Sequence, residues 1–290
     1  MILYHFNTFK TFKIFKTFKR SLSIKSKTNT QVSIYNISDL HLENYNNVNN
    51  LYKNLEKIMP KANILTLSGD IGYPLNEYGK MYSELLKKFK EKYDHVILVP
   101  GNHEYFQIKN FNRDSALNRL REICHSESCH LLNNESIEIL GIKFLGTTLW
   151  SKIDPKYQSM LDVSNRKGKM FKTIFPTINA ANEEFAKNHK WLKTSLNKTK
   201  SKHQVIITHH VPSYSLQHES YKNIGSEFVN SLFYSEILNG LDLSKVRYWF
   251  CGHTHESGKL KHGNTDIIIN PYGVNVEKRK TKISSQIYLI

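Results

Sequence analysis

Cysteine is scarce in this chain of 290 residues: Cys124, Cys129 and Cys251 are too few, and odd in number, for a disulfide framework. That usage points to a reducing compartment and makes the cytoplasm the expected location. No stretch approaches the ~18 consecutive apolar residues that a spanning helix needs, so no transmembrane segment is expected. Acid is missing from the whole N-terminal part, where Asp39 is the first acidic residue. Lys10, Lys13, Lys16, Lys19, Arg20, Lys25 and Lys27 thus supply +7 of the formal charge of +16 and leave the body only mildly basic. A mild basic bias attracts any polyanion and gives weak support for nucleic acid as a partner. What is present excludes disorder throughout: 39% hydrophobic and 12% aromatic residues suffice for one full-sized core.

Residues 1–30 read as an extension outside the fold. Phe6, Phe9, Phe12, Phe15 and Phe18 recur every third position, with a lysine following each of the last four. A step of three falls ~60° short of a helical turn, so these rings wind around a helix and form no amphipathic stripe. The lysines also interrupt the apolar run of a secretory signal. The readings that remain are a disordered tail, an organelle-targeting or surface-attaching segment, or a polyanion-gathering arm.

From Gln31 onward, short β-rich runs alternate with helical patterns, which predicts one α/β domain over residues 31–290. Strands are expected at 32–37, 64–67 and 96–99, with helices between them through Leu51 and Leu55 and through Leu85 and Phe89. A third helix follows around Leu120, then a hairpin-like pair around Gly141. Residues 150–177 read as an irregular excursion. A helix through Phe185 and Leu192 leads to a strand at 204–208, another helix is expected at 228–238, and strands at 246–251, 266–269 and 286–290 end the chain.

Five short motifs sit immediately after apolar strands: Asp39-Leu40-His41, Gly69-Asp70, Gly101-Asn102-His103-Glu104, Thr208-His209-His210 and Gly252-His253-Thr254-His255. In open α/β sheets the carboxyl ends of strands form the ligand crevice, where residues distant in sequence converge. On an extended segment, side chains two apart point the same way, so Asp39 with His41, and His253 with His255, are each expected to face one point. Gly69, Gly101 and Gly252 allow backbone to approach closely where a strand turns into a loop. Imidazole, carboxylate and amide oxygen without thiolate suit Mn, Fe or Zn in a divalent or trivalent state. The candidate ligands exceed what one ion needs, which implies two, the arrangement that clamps both oxygens of a phosphoryl displacement.

In order and spacing, these motifs resemble the calcineurin-like metallophosphoesterase family from about Tyr35 to His255. The resemblance implies a four-layer α-β-β-α sandwich with two mixed sheets and flanking helices. It also implies a binuclear metal-dependent hydrolase of phosphomonoesters or phosphodiesters. Matched motif by motif, Asp39, His41 and His255 would hold the first metal, Asn102, His209 and His253 the second, and Asp70 would bridge them. His103 would protonate the leaving oxygen, while a hydroxide between the metals attacks phosphorus in line. Two divalent ions, two carboxylates and that hydroxide leave roughly +1 to attract a phosphate ester. The arginines that Ser/Thr protein phosphatases of this superfamily place near these motifs are replaced here by Ile71-Gly72-Tyr73-Pro74 and Glu104-Tyr105. Gly146-Thr147-Thr148-Leu149-Trp150 and Asn270-Pro271-Tyr272-Gly273 look like segments of small bacterial-type members.

Two alternatives are a nuclease of the same fold, served by the basic extension, and a scaffold without catalysis. No candidate ligand position is broken, which speaks against the scaffold. His210 reads as a support or groove residue, not a ligand. Cys124-His125 and Cys129-His130 match no common zinc spacing, and Cys251 reads as a small buried hydrophobe. Trp150, Trp191 and Trp249 are expected in the core or a cleft wall, and Arg166, Lys167 and Lys169 on a solvated loop.

Overall fold

The computed structural model describes residues 31–106, 113–163, 171–198, 201–217, 227–273 and 283–290. The Phe/Lys extension and Arg166, Lys167 and Lys169 lie outside the described residues. The first sheet contains β1 (Ser33–Ile37), β2 (Ile64–Ser68), β3 (His95–Val99), β4 (His130–Leu131) and β11 (Tyr288–Leu289), in the order β11-β1-β2-β3-β4. The second contains β5 (Glu135–Ile139), β6 (Ile142–Thr147), β7 (His203–Thr208), β8 (Val246–Cys251), β9 (Gly258–His262) and β10 (Thr265–Ile269), in the order β5-β6-β7-β8-β10-β9. Strands β1 to β4 run parallel, with Ile34 opposite Ile64 and Ile64 opposite His95, while β11 joins β1 antiparallel. In the second sheet β6, β7, β8 and β10 are parallel, and the hairpins β5–β6 and β9–β10 close its two edges.

Strand alternation sorts the apolar residues into three cores. Ile34, Ile64, Ile97 and Val99 of the first sheet meet Phe144, Val205, Ile207, Phe250 and Ile268 of the second, so the sheets pack face to face. The opposite face of the first sheet (Tyr35, Ile37, Leu65, Leu67, Val96, Leu98) is covered by helices α1 (Val48–Glu56), α2 (Asn76–Lys92) and α3 (Arg113–Ser126) through Leu51, Leu85, Phe89 and Leu120. On the far side of the second sheet, Leu145, Ile206, Trp249 and Ile267 pack against Phe185 and Leu192 of the helix Ile178–Asn197. The result is the four-layer α-β-β-α sandwich, with two mixed sheets and flanking helices.

Local chemistry sets the helix starts. Asn47 caps α1 by accepting from the Asn50 N–H at 3.0 Å, and the Thr177 hydroxyl accepts from the Ala180 N–H at 3.2 Å. In α2, Glu77 lies in the first turn and Lys90 and Lys92 in the last, as the helix dipole favours.

Two expectations need correction, and one strand was not predicted. The helix expected at 228–238 is a short one, Glu227–Ser231, because Tyr234 leaves it to bridge Val211 and the Ser235 N–H donates to the Val211 carbonyl at 3.0 Å. The excursion at 150–177 carries a 3-10 turn at Pro155–Tyr157 and a helix at Gln158–Val163. The edge strand β9 went unforeseen, although Gly263-Asn264 is a hairpin signal and Gly263 turns with φ +56°. Cys124, Cys129 and Cys251 are free and buried, and Cys124 and Cys129 belong to no metal-binding group among the described residues. No helix among the described residues is long and apolar enough to cross a membrane.

Candidate metal centre and active site

Asp39 and His41 follow β1, Asp70 follows β2, and Asn102 and His103 follow β3; His209 and His210 follow β7, and His253 and His255 follow β8. The site therefore straddles the carboxyl edges of both sheets. Backbone hydrogen bonds tie its loops together: Asp39 N–H to the Gly69 carbonyl at 3.0 Å, His41 N–H to Asp70 at 3.0 Å, and Gly252 N–H to His209 at 2.9 Å.

Asp39, His41, Asp70, His253 and His255 all adopt left-handed backbone, with φ between 51° and 72°. This corrects the expected direction of the paired side chains. His41 and Asp39 converge because each turns through a sparsely populated conformation, not because the segment is extended. His253 and His255 do not face one point but contribute to separate groups.

Three donor groups form among the described residues, each with its ligand atoms within 4.8 Å of one another: Asp39, His41, Asp70 and His255; Asp70, His209 and His253; and His41, Glu43 and His103. Asp70 belongs to the first two. Asn102 joins the second, its Oδ1 lying 2.9 Å from His209 Nε2, which is also 3.2 Å from Asp70 Oδ2. Across the first group, His41 Nε2 faces His255 Nε2 at 2.9 Å, and His255 Nε2 lies 3.4 Å from Asp39 Oδ1.

The far sides of the rings are already engaged. His209 Nδ1 bonds to the Ser68 carbonyl at 2.9 Å, His41 Nδ1 to Glu43 Oε1 at 2.9 Å, and His253 Nε2 to the Leu232 carbonyl at 3.3 Å. Such bonds fix the tautomer that turns a lone pair inward. Asp39 accepts from Ser38 Oγ and from the His253 N–H, and Asp70 Oδ1 accepts from the His103 N–H at 2.7 Å. Carboxylate and amide oxygens converging with inward imidazole nitrogens are a donor set that fits a metal cation.

Electrostatics records the same crowding. Burial alone would raise the Asp70 carboxyl, but the charges of His209, His103 and His41 outweigh it and hold it well below the usual carboxylate range. Burial would lower His209, but Asp70 drives it up to about 9. Burial and the charges of His210 and His209 push His253 well down. His210, 3% exposed, is pushed down to about 3 by burial and His209; its ring lies tilted against Trp150 and His253, with centroids 5.1 and 4.2 Å away, and it belongs to none of the donor groups.

Glycine is required where the loops meet. A Cβ on Gly101 would collide with Asp70 Oδ1, and one on Gly252 would come within 2.7 Å of Asp39 Oδ2.

Two carboxylates in the site were missed as working residues. Glu43 Oε1 accepts from His41 and, at 2.7 Å, from His103 Nδ1; these bonds draw its pKa down to about 2 against the effect of burial. Glu104 accepts from the N–H groups of Asp70, Ile71, Gly72 and Gly101 and from the Tyr82 hydroxyl, and so joins the loops after β2 and β3. Burial and Asp70 push Glu104 up to about 7, against the pull of those donors. Each was readable as an acid within three residues of a candidate ligand.

A cleft of about 240 Å³ opens onto Asp70, Asn102, His103, His253 and His255. Its other walls include Phe106, Trp150, Ile153, Phe171, Ile174 and Phe233. Trp150 therefore lies in a cleft wall, Trp249 is fully buried, and Trp191 is partly buried.

The chain is 29% identical over 261 residues to the uncharacterized protein L509 of Acanthamoeba polyphaga mimivirus, covering 83% of this chain and 91% of that protein. The structure resembles the phosphopantetheinyl hydrolase PptH from Mycobacterium tuberculosis with a TM-score of 0.63 and 16% identity, covering 90% of this chain and 96% of that one; at that identity the likeness is one of fold. The family model of calcineurin-like phosphoesterases matches residues 32–257, and the chain belongs to that family.

Proposed function

We propose that this protein is a metal-dependent hydrolase of phosphomonoesters or phosphodiesters that works with two cations. Asp39, His41 and His255 hold one, Asn102, His209 and His253 the other, and Asp70 is shared. The observation that carries this reading is the membership of Asp70 in two donor groups. When bound, the cations contribute Lewis acidity at a phosphoryl oxygen.

The chain's own residues orient the ester and handle its proton. His103 lines the cleft, and with Nδ1 held by Glu43 its Nε2 turns toward the metal-binding group, 3.9 Å from Asp70 Oδ2. Burial would lower the pKa of His103, but Asp70 and Glu43 raise it, which favours the protonated acid. As a water oxygen bonds to phosphorus and the ester P–O bond breaks, His103 Nε2 gives its proton to the leaving oxygen. The products are the alcohol and a phosphate, or a phosphomonoester from a diester.

The test is hydrolysis of 4-nitrophenyl phosphate and bis(4-nitrophenyl) phosphate by the full chain supplied with Mn²⁺, alongside Asp70→Asn. Asp70→Asn should lower kcat/KM by more than about a hundredfold, beyond what loss of a supporting partner costs, while circular dichroism stays native. Undiminished activity in that variant, or no hydrolysis by a Mn²⁺-loaded wild-type chain, overturns the proposal.

A further inference from the structure

The cleft has a polar floor and apolar walls, and that asymmetry bears on what is esterified to the phosphate. Asp70 is the single acidic side chain among the described lining residues, and none of them is lysine or arginine. Aromatic rings lean directly on the polar floor: Phe106 lies 4.4 Å from the His103 ring and Phe233 4.5 Å from the His253 ring, centroid to centroid. Further out, Trp150 meets Phe175 edge-on at 4.7 Å, and Phe171 lies 5.7 Å from Phe175. This outer wall comes from the stretch between β6 and the helix Ile178–Asn197, whose described residues add no strand to either sheet.

Ser151, His210 and Thr254 also line the cleft, but a sugar or a second phosphate placed against Phe106, Phe171, Ile174 and Phe233 would lose its hydration without gaining partners from those four side chains. A flat apolar group gains ring contacts on several sides, and a cleft of about 240 Å³ has room for one ring and its linker.

Resting on the hydrolase reading, we propose that the substrate is a phosphate ester of an apolar, ring-bearing alcohol, whose ring sits between Phe106, Trp150, Phe171, Ile174 and Phe233 with the phosphate on the polar floor. Selectivity then comes from the carbon side of the ester.

The experiment pairs esters whose leaving alcohols are similarly basic, so that binding and not leaving-group quality sets the ratio. Mn²⁺-loaded full chain should hydrolyse 2-phenylethyl phosphate with a kcat/KM more than about tenfold above that for glycerol 1-phosphate. Calorimetric titration should show benzylphosphonate, which cannot be hydrolysed at its C–P bond, binding more than about tenfold tighter than methylphosphonate. Phe171→Asp should bring both ratios toward one, whereas Phe171→Leu, which keeps an apolar wall, should preserve most of them. Hydrolysis of both esters without preference, or equal affinity for both phosphonates, overturns the ring-bearing substrate and leaves the hydrolase reading standing. Tight benzylphosphonate binding without hydrolysis of any ester supports the apolar seat and overturns the hydrolase reading instead.

Discussion

A single carboxylate oxygen governs two histidines with different tasks. Glu43 Oε1 takes the Nδ1–H of His41, a candidate ligand, and of His103, the candidate acid, at 2.9 and 2.7 Å, and the carboxylate is 8% exposed. The charge that turns the His41 lone pair inward thus also steadies the proton on His103. Glu43→Gln keeps an oxygen acceptor but removes that charge. At saturating Mn²⁺, kcat for an alkyl phosphate, whose leaving oxygen needs a proton, should fall about 10–100-fold, and kcat for 4-nitrophenyl phosphate much less. Plotting rate against leaving-group pKa measures this as a steeper slope. A uniform fall across all leaving groups would mean that Glu43 acts through His41 alone. Residue types and spacing revealed the candidate ligands, since histidines and acids after apolar strands have few structural reasons to be there. The sharing of Glu43 was not readable, because it depends on a 3-10 turn at Leu42–Asn44 that brings Glu43 toward the loop after β3.

Among the elements, the strands were the most legible and the loops after them the least. Strands β3, β7 and β8 read directly as continuous apolar runs, buried on both faces, with alternate residues facing different cores. The conformation of Asp39-Leu40-His41 is not legible in this way, because nothing in those three residue types demands positive φ; neighbouring loops impose it. A strand at the end of the chain was legible, but not the pairing of β11 with β1, which depends on a partner at the other end of the chain. Glu104 is the clearest case of one element fixing another. Its carboxylate collects four peptide N–H groups and the Tyr82 hydroxyl from α2, so the loops after β2 and β3 cannot separate without stranding a buried charge or its donors. In Glu104→Gln an amide NH₂ must face peptide N–H groups. The metal-free protein should lose about 2–3 kcal/mol, seen as a lower urea midpoint with unchanged slope, and Mn²⁺ affinity should fall with it. A midpoint equal to wild type would show that water or a rotated amide satisfies those donors.

At the scale of the whole molecule, charge and chemistry are segregated. The described walls of the cleft carry no lysine or arginine, whereas residues 1–30 carry seven of the chain's 41 basic residues and no acid. Affinity for a polyanion should therefore reside in the N-terminal segment and ester hydrolysis in the body. The two should separate on truncation, because the first sheet closes on Val32, which exchanges backbone hydrogen bonds with Ile290 at 2.8 and 3.0 Å. Deleting residues 1–30 removes neither Val32 nor Ile290, so kcat/KM for 4-nitrophenyl phosphate should stay within about twofold of the full chain. Binding to duplex DNA, followed by fluorescence anisotropy across a salt series, should weaken, and the slope of log affinity against log salt should flatten by up to about six if all seven charges engage phosphates. A nuclease served by the extension predicts otherwise: DNA cleavage by the full chain that falls steeply with salt and disappears on truncation. An unchanged salt slope in the truncated chain would locate the polyanion surface on the body and take the electrostatic role away from the extension.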